Sequence, residues 1–334
     1  MTDRLSYLVL GGTAWLGGAV VAHALARGHE VTCLARGEAG DVPSGASLGR
    51  ADRWAADAYD LVAGRDWDVV LDVSREPEHV RSALAALATR ARHWVYVSTI
   101  SVYADHSRPG ADESAPVLPA WTGTGSAPAE VYGEAKVSCE TACMDAVPED
   151  RLTVARAGLL VGHGDPSDRF GYWPARLGRA SDGERVLVPP LDGAVQFIDV
   201  QDLAAWLVDA GARRVAGVFD ATGPQRRFSE VLAACASAAS VPLRYADPGE
   251  SWLLANGVAP WAGPDSLPLW IPSEAAGHNA RAASAVRAAG LTVRPLEQTV
   301  SDALRWEVER GLWRDRRAGL SPVREAELLA ELDA

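Results

Sequence analysis

The chain has 334 residues, of which 48% are hydrophobic and 23% charged, with a formal net charge of −12. That balance excludes a disordered or low-complexity scaffold, and the length suits about two domains. The acidic excess repels a phosphate backbone and argues against nucleic-acid partners. Of the 32 basic residues 31 are arginine, and the one lysine is Lys136. The exception asks what an arginine could not do there.

Residues 7–26 are apolar except for Thr13 and His23, but Gly11, Gly12, Gly17 and Gly18 interrupt the run. A strand, a turn and a helix fit it better than a signal peptide or membrane span. No other stretch suggests a membrane, so a cytoplasmic protein without a membrane partner is expected. Cys33, Cys139, Cys143 and Cys235 lack zinc-ligand spacing, so they read as small buried hydrophobes and no metal is expected.

Taken in order, the pattern predicts strands over 5–10, 30–34, 47–50, 67–73, 93–98 and 152–161. Helical spacing covers 19–26, 79–91 and 131–145. Apolar strands alternating with helices predict an α/β fold with a parallel sheet covered on both faces. Loop 104–129 is rich in Pro, Gly, Ser and Ala, and loops this long are usually functional. Segment 246–280 combines five prolines with Trp252, Trp261 and Trp270, which predicts an irregular, aromatic-lined segment. The stretch 296–332 reads as helical, with a break at Pro322.

Two segments carry the chemistry. Leu8 to Gly18 (LVLGGTAWLGG) runs a strand into a glycine turn and then a helix, whose amino end offers free N–H groups to a pyrophosphate. In VYGEAKVSCE, Tyr132 and Lys136 stand four apart on one helix face. A nearby ammonium favours a phenolate, and a compact, flexible ammonium reaches sugar hydroxyls in a way that a planar guanidinium does not.

With Ser98-Thr99-Ile100-Ser101-Val102-Tyr103 at the end of the fifth strand, these motifs resemble the extended short-chain dehydrogenases/reductases, the group of the NAD-dependent epimerases and dehydratases. The resemblance runs nearly the whole chain. It implies a doubly wound Rossmann sheet with a smaller C-terminal substrate-binding domain. Residues 1–165, with 193–222 returning, would form the first part, and 166–192 with 223–334 the second. It implies catalysis by Thr99, Tyr132 and Lys136, with Ser98 and Ser101 as alternatives to Thr99. It assigns cofactor contacts to Gly11, Thr13, Ala14, Trp15, Leu16, Gly17, Arg36, Asp52, Val73, Ser74, Lys136, Ala157 and Leu159. Tyr103, Arg169, Trp173 and Gln196 are the expected substrate contacts.

The sequence also departs from the family. Ala14 stands where the middle glycine of the turn is usual. Ala35 and Arg36 end the second strand where an NAD site usually has an acid, so NADP(H) is expected over NAD(H). Leu159 replaces an asparagine common in nucleotide-sugar epimerases, and Ile100-Ser101 replaces the acidic pair of sugar dehydratases. Both argue against a nucleotide-sugar substrate. Asp199 and Asp202 in FIDVQDL read as structural acids before a helix. The expected activity is hydride transfer between a nicotinamide and a small-molecule carbonyl or alcohol. The alternatives are an epimerase or isomerase with tightly bound dinucleotide, and a non-catalytic dinucleotide-sensing or RNA-binding relative. A homodimer through the helices flanking the fifth strand is a further expectation from the family.

Overall fold

The computed structural model describes residues 4–242 and 244–334. Six strands alternate with helices: β1 (Ser6–Leu10), α1 (Trp15–Ala26), β2 (Glu30–Ala35), β3 (Ser47–Arg50), β4 (Trp67–Asp72), α2 (Pro77–Leu87), β5 (Ala91–Thr99), α3 (Tyr132–Ala146) and β6 (Leu152–Ala157). A seventh strand, Gly217–Ala221, returns to pair with β6. The sheet order is Gly217–Ala221, β6, β5, β4, β1, β2, β3, and every pairing is parallel. The chain reverses direction across the sheet between β1 and β4. A crevice opens at such a switch point, above the carboxyl ends of the strands.

Alternate residues of the strands feed two cores. Val9, Leu71 and Val95 pack with α1 and with α5 (Val200–Arg213) on one face. Leu8, Val70 and Trp94 pack with α2 and α3 on the other, where Cys139 and Cys143 are buried in the seam. A third core gathers α4 (Tyr172–Gly178), α6 (Phe228–Ala239) and the helices Leu296–Arg310 and Pro322–Leu332 around Phe170, Trp173 and Phe228. All four cysteines are free and buried. No helix among the described residues is long and apolar enough to cross a membrane.

Three differences from the sequence expectation have physical causes. The sixth strand divides at Gly158: Leu152–Ala157 stays in the main sheet, while Leu159–Val161 pairs with Phe197–Asp199. A Cβ at Gly158 would collide with Thr222, so the chain bends where only glycine fits. The helix expected over 79–91 starts earlier, with Pro77 in its first turn, and ends at Leu87, leaving Ala91 to start β5. The C-terminal break begins at Gly311 (φ +96°) rather than at Pro322, which lies in the first turn of the last helix behind the Ser321 cap. Segment 246–280 is less irregular than expected, with a helical turn at Glu250–Ala255 and a ladder of Ala259–Trp261 on Ser266–Pro268.

Asp199 and Asp202 are structural, as the sequence suggests. Asp199 caps α5 by accepting from the Gln201 N–H at 2.9 Å, and it also accepts from the Thr299 hydroxyl at 3.0 Å. Asp202 holds Arg294 at 2.9 Å. These contacts tie the C-terminal helices to the sheet.

Candidate active site

Two clefts lie along the carboxyl edge of the sheet. The first, about 580 Å³, is lined by Gly11, Thr13, Ala14, Arg36, Asp52, Val73 and Ser74, among others. The second, about 550 Å³, takes in Ala14, Trp15, Leu16, Gly17, Val73, Thr99, Tyr132, Lys136, Ala157 and Leu159. Every expected cofactor residue therefore lines one cleft or the other. Ala14 and Val73 line both, so the glycine turn is the joint between them.

The turn has the shape a pyrophosphate needs. Gly11 has φ +97°, and a Cβ on Gly17 would run into the Gly11 carbonyl, so α1 rests directly on the turn. Ala14 sits at φ −82° and ψ 165°, a conformation open to any residue, so its methyl adds no backbone strain. No side chain caps the amino end of α1. Its first-turn N–H groups are thus free for an anion, and a dinucleotide fits this cradle.

At the end of β2, Arg36 is exposed and pairs with Glu38 at 3.2 Å. Arg50, at the adjacent end of β3, donates to the Arg36 carbonyl at 3.3 Å. Sequence reasoning missed Arg50, because only the β2–β3 register, with Ala35 opposite Arg50, brings it there. Asp52 accepts from the Trp54 N–H at 3.1 Å. Trp54 and His79, also missed, meet edge to face at 4.4 Å on the wall of the first cleft. Beneath them Arg53 forms a bidentate pair with Asp72 at 2.9 and 2.7 Å.

In the second cleft, Thr99 is the last residue of β5, opposite Ala157 at the end of β6. The Thr99 Oγ1 accepts from the Ser101 N–H at 3.2 Å and lies 3.2 Å from the Ser101 hydroxyl. A Cβ on Gly133 would strike the Ser101 carbonyl, so α3 lies directly on this loop and Tyr132 stands over it. Tyr132 is the first residue of α3 and is exposed.

Lys136, one turn on, is buried. Its Nζ donates to the Ser74 carbonyl at 2.8 Å, the Tyr96 hydroxyl at 3.1 Å and the Val97 carbonyl at 2.5 Å. Three acceptors match the three protons of an ammonium, and the Nζ also lies 4.7 Å from the Tyr96 ring centre. A planar guanidinium cannot serve three oxygens converging on one atom.

The substrate-side residues fare differently. Arg169 lines the second cleft, half-buried, 5.0 Å from the Trp261 ring centre. It has no ion pair or hydrogen bond from its guanidinium among the described residues, and burial lowers its pKa from the ordinary value. Asp165, Trp261 and His278 line the same cleft. Burial raises the Asp165 pKa, and its Oδ2 has no partner. Burial pushes the His278 imidazole down to about 4. The aromatic character of 246–280 announced Trp261, but nothing in the sequence announced Asp165 or His278.

Tyr103, Trp173 and Gln196 do not reach the cleft. The buried Tyr103 hydroxyl donates to Asp220 at 2.6 Å and accepts from Arg156 at 3.0 Å, while Arg281 lies 3.6 Å over its ring. The Trp173 indole donates to the Pro268 carbonyl at 2.8 Å within the third core. Gln196 donates to the Gly223 and Arg281 carbonyls and accepts from the Arg281 N–H. All three have their polar atoms satisfied inside the protein and nothing left to offer a ligand.

A doubly wound parallel sheet with an uncapped helix over a glycine turn defines a dinucleotide-binding enzyme fold. Comparison with known proteins agrees. Residues 7–218 match the model of the NAD dependent epimerase/dehydratase family, and the chain belongs to that family. It is a protein of the extended short-chain type. It is 29% identical over 245 residues to a dTDP-6-deoxy-L-talose 4-dehydrogenase (NAD(P)(+)) of Kitasatospora kifunensis, a match covering 62% of this chain and 70% of that one. It is also 29% identical over 152 residues to the non-reducing polyketide synthase sor2 of Hypocrea jecorina, covering 40% of this chain but only 6% of the synthase. Among solved structures, the UDP-glucuronic acid 4-epimerase of Bacillus cereus in complex with NAD superposes with a TM-score of 0.63 at 14% identity, covering 92% of this chain and 99% of the other. The epimerase Mth375 of Methanothermobacter thermautotrophicus gives 0.62 at 14% identity, covering 92% and 94%. At such identities these two structures speak for the fold alone.

Proposed function

We propose that this protein is an NAD(P)-dependent oxidoreductase acting on a small-molecule carbonyl or the matching secondary alcohol. The observation that carries the reading is the convergence of Thr99, Tyr132 and Lys136 on one cleft that is joined to the nucleotide cleft at Ala14. The nicotinamide supplies or accepts the hydride, two electrons and one hydrogen. In the direction of reduction, the Tyr132 hydroxyl gives its proton to the carbonyl oxygen as the carbon takes the hydride. Thr99 hydrogen-bonds that oxygen and holds it toward Tyr132. Lys136 fixes the strand end beneath both, and it is the residue that would hold the ribose of a bound dinucleotide.

Arg36 on the wall of the first cleft, with Arg50 bonded to its carbonyl, favours NADP(H), since two guanidinium groups suit a 2′-phosphate. Glu38 already holds one side of Arg36 and works against that preference. Asp52 is assigned the adenine amino group. In the second cleft, Arg169 supports a substrate with an anionic group, and Asp165 a substrate with a hydroxyl or amine donor. Residues 1–165 with 193–222 serve the nucleotide, and 166–192 with 223–334 serve the substrate.

The test is a panel of anionic and neutral carbonyl compounds with NADPH and NADH, followed by absorbance. The substitution Tyr132→Phe should cost about 10²–10⁴-fold in kcat while leaving dinucleotide affinity unchanged. Full activity in that variant ends the assignment. Co-purification of one dinucleotide per chain, with no net turnover on any carbonyl, decides for an epimerase instead.

A further inference from the structure

A third cleft, about 250 Å³, lies in the C-terminal part of the molecule and shares no lining residue with the two clefts of the nucleotide site. Its wall is α4 and the residue after it, with Tyr172, Arg176 and Arg179. Its other sides are Pro264 and Asp265, the segment Trp313 to Arg316, and the start of the last helix. Four arginines in one small cleft stand out in a chain of net charge −12.

Three of the four are balanced by the protein. Arg176 pairs with Glu184 at 2.7 Å and Glu325 at 2.6 Å. Arg314 pairs with Asp168 and with Glu307, and Arg316 pairs with Glu307 at 2.8 Å. The fourth is different. Arg179 is half-buried and makes no ion pair or hydrogen bond from its guanidinium among the described residues. Among the described residues its guanidinium meets the face of Trp313, 5.3 Å away, and that residue is 71% exposed. Arg176 and Arg316 add like charge around it, and the nearby acid, Glu325, is already paired with Arg176. A desolvated cation without a counter-ion is costly, and an arriving anion would offset that cost.

A second observation points to the same ligand. Tyr172 is 2% exposed and lines the cleft, with its hydroxyl beside the Leu320 backbone and no acceptor for its own proton among the described residues. The Nε–H groups of Arg314 and Arg316 are also buried and unpartnered. The cleft therefore offers a free guanidinium fork and, behind it, a hydroxyl whose proton has no acceptor. Together they can meet three oxygens, which suits a phosphoryl group. The acids on the lining, Asp265 and Asp315, are exposed and make no ion pair with Arg179.

We infer that this cleft is a phosphate-binding site, separate from the dinucleotide, in which Arg179 and Tyr172 hold the phosphoryl oxygens and Trp313 covers them. The ligand is inorganic phosphate or the phosphoryl group of a small phosphate ester.

The test is calorimetric titration of the full chain, first saturated with dinucleotide so that the pyrophosphate cradle is filled. Inorganic phosphate and ribose 5-phosphate serve as probes. Saturable 1:1 binding is expected. It should weaken by at least about tenfold in Arg179→Gln and by about threefold in Tyr172→Phe. Arg179→Lys, which keeps the charge but loses the fork, should fall between, and it replaces Arg179→Gln if that variant does not fold. Arg169→Ala should bind phosphate as the wild type does, which separates this cleft from the cation of the second one. Tighter binding of the ester assigns the site to a phosphorylated metabolite, and equal binding assigns it to the free ion. No saturation, or binding that Arg179→Gln and Tyr172→Phe leave unchanged, means an adventitious ion only and overturns the inference.

Discussion

The nucleotide half and the substrate half of the cleft system are built in opposite ways. The nucleotide half is made from a glycine turn and the ends of neighbouring parallel strands, where backbone geometry and strand register do most of the work. The substrate half is made from side chains far apart in sequence: Asp165 and Arg169 on one loop, Trp261 at the end of a short strand, and His278 in the helical turn Ser273–Asn279. The first loop is held from outside. Asp168, in left-handed backbone at φ 63°, receives Arg310 at 3.0 Å, Arg314 at 3.1 Å and the Arg317 N–H at 2.9 Å. The contrast teaches that cofactor geometry can be kept by local rules while substrate geometry depends on long-range ion pairs.

The experiments that sharpen this contrast differ in size. The largest effect is the loss of turnover in Tyr132→Phe already described, because the proton donor stands where the halves meet. Next is Asp168→Ala. Burial alone would raise the Asp168 carboxyl, but hydrogen bonds from Arg314 and Arg317 and the nearby charges hold it below its ordinary value. Removing it strands Arg310 and Arg314 beside Glu307 alone. A loss of about 3 kcal/mol in denaturant unfolding is expected, on the scale of a broken buried pair. KM for substrate should rise while dinucleotide affinity holds. If both affinities fall together, the halves are not built separately.

Acid comes third. Burial lowers His93, in the sheet, and His278, in the substrate half, to about 4. The unfolded chain binds protons at these residues from about pH 6.5 downward, while the folded chain stays neutral until about 4. Stability is therefore full above about pH 6.5 and falls as pH drops toward 4, by up to about 3 kcal/mol for each histidine. Thermal unfolding at pH 7 and pH 5 should show the loss. His278→Gln should remove part of that slope without moving dinucleotide affinity, and an unchanged slope contradicts the assignment.

The smallest effect tests the nucleotide half. The double substitution Arg36→Ala with Arg50→Ala should weaken NADP(H) by about tenfold, roughly 1.4 kcal/mol, and leave NAD(H) within about twofold. Equal weakening of both would mean that the arginines serve the fold rather than the 2′-phosphate.

The sequence made the nucleotide half legible because its determinants are short. The strand–turn–helix of residues 6–26 and the Tyr132–Lys136 spacing are complete within a few turns. Lys136 stands out in the sequence by its rarity, and the structure adds a feature that spacing alone did not contain: three protein oxygens converge on its Nζ. Tyr103 shows the opposite. The family resemblance suggested it as a substrate contact, but Asp220, Arg156 and Arg281 arrive from three distant segments and bury it. The break at Gly158 was hidden for the same reason, since the obstacle, Thr222, lies 64 residues further on.

The clamp on Asp168 also has a consequence in time. A chain emerging from the ribosome presents β1 through β6 and then α5 and Gly217–Ala221, and the nucleotide half can settle once these are out. Arg310, Arg314 and Arg317 follow about 140 residues after Asp168. Until they arrive, Asp168 has no counter-ions from that segment to hold its left-handed turn, and the Arg169 loop beside it has no fixed seat. The nascent protein should thus be able to take up dinucleotide before it can recognise substrate.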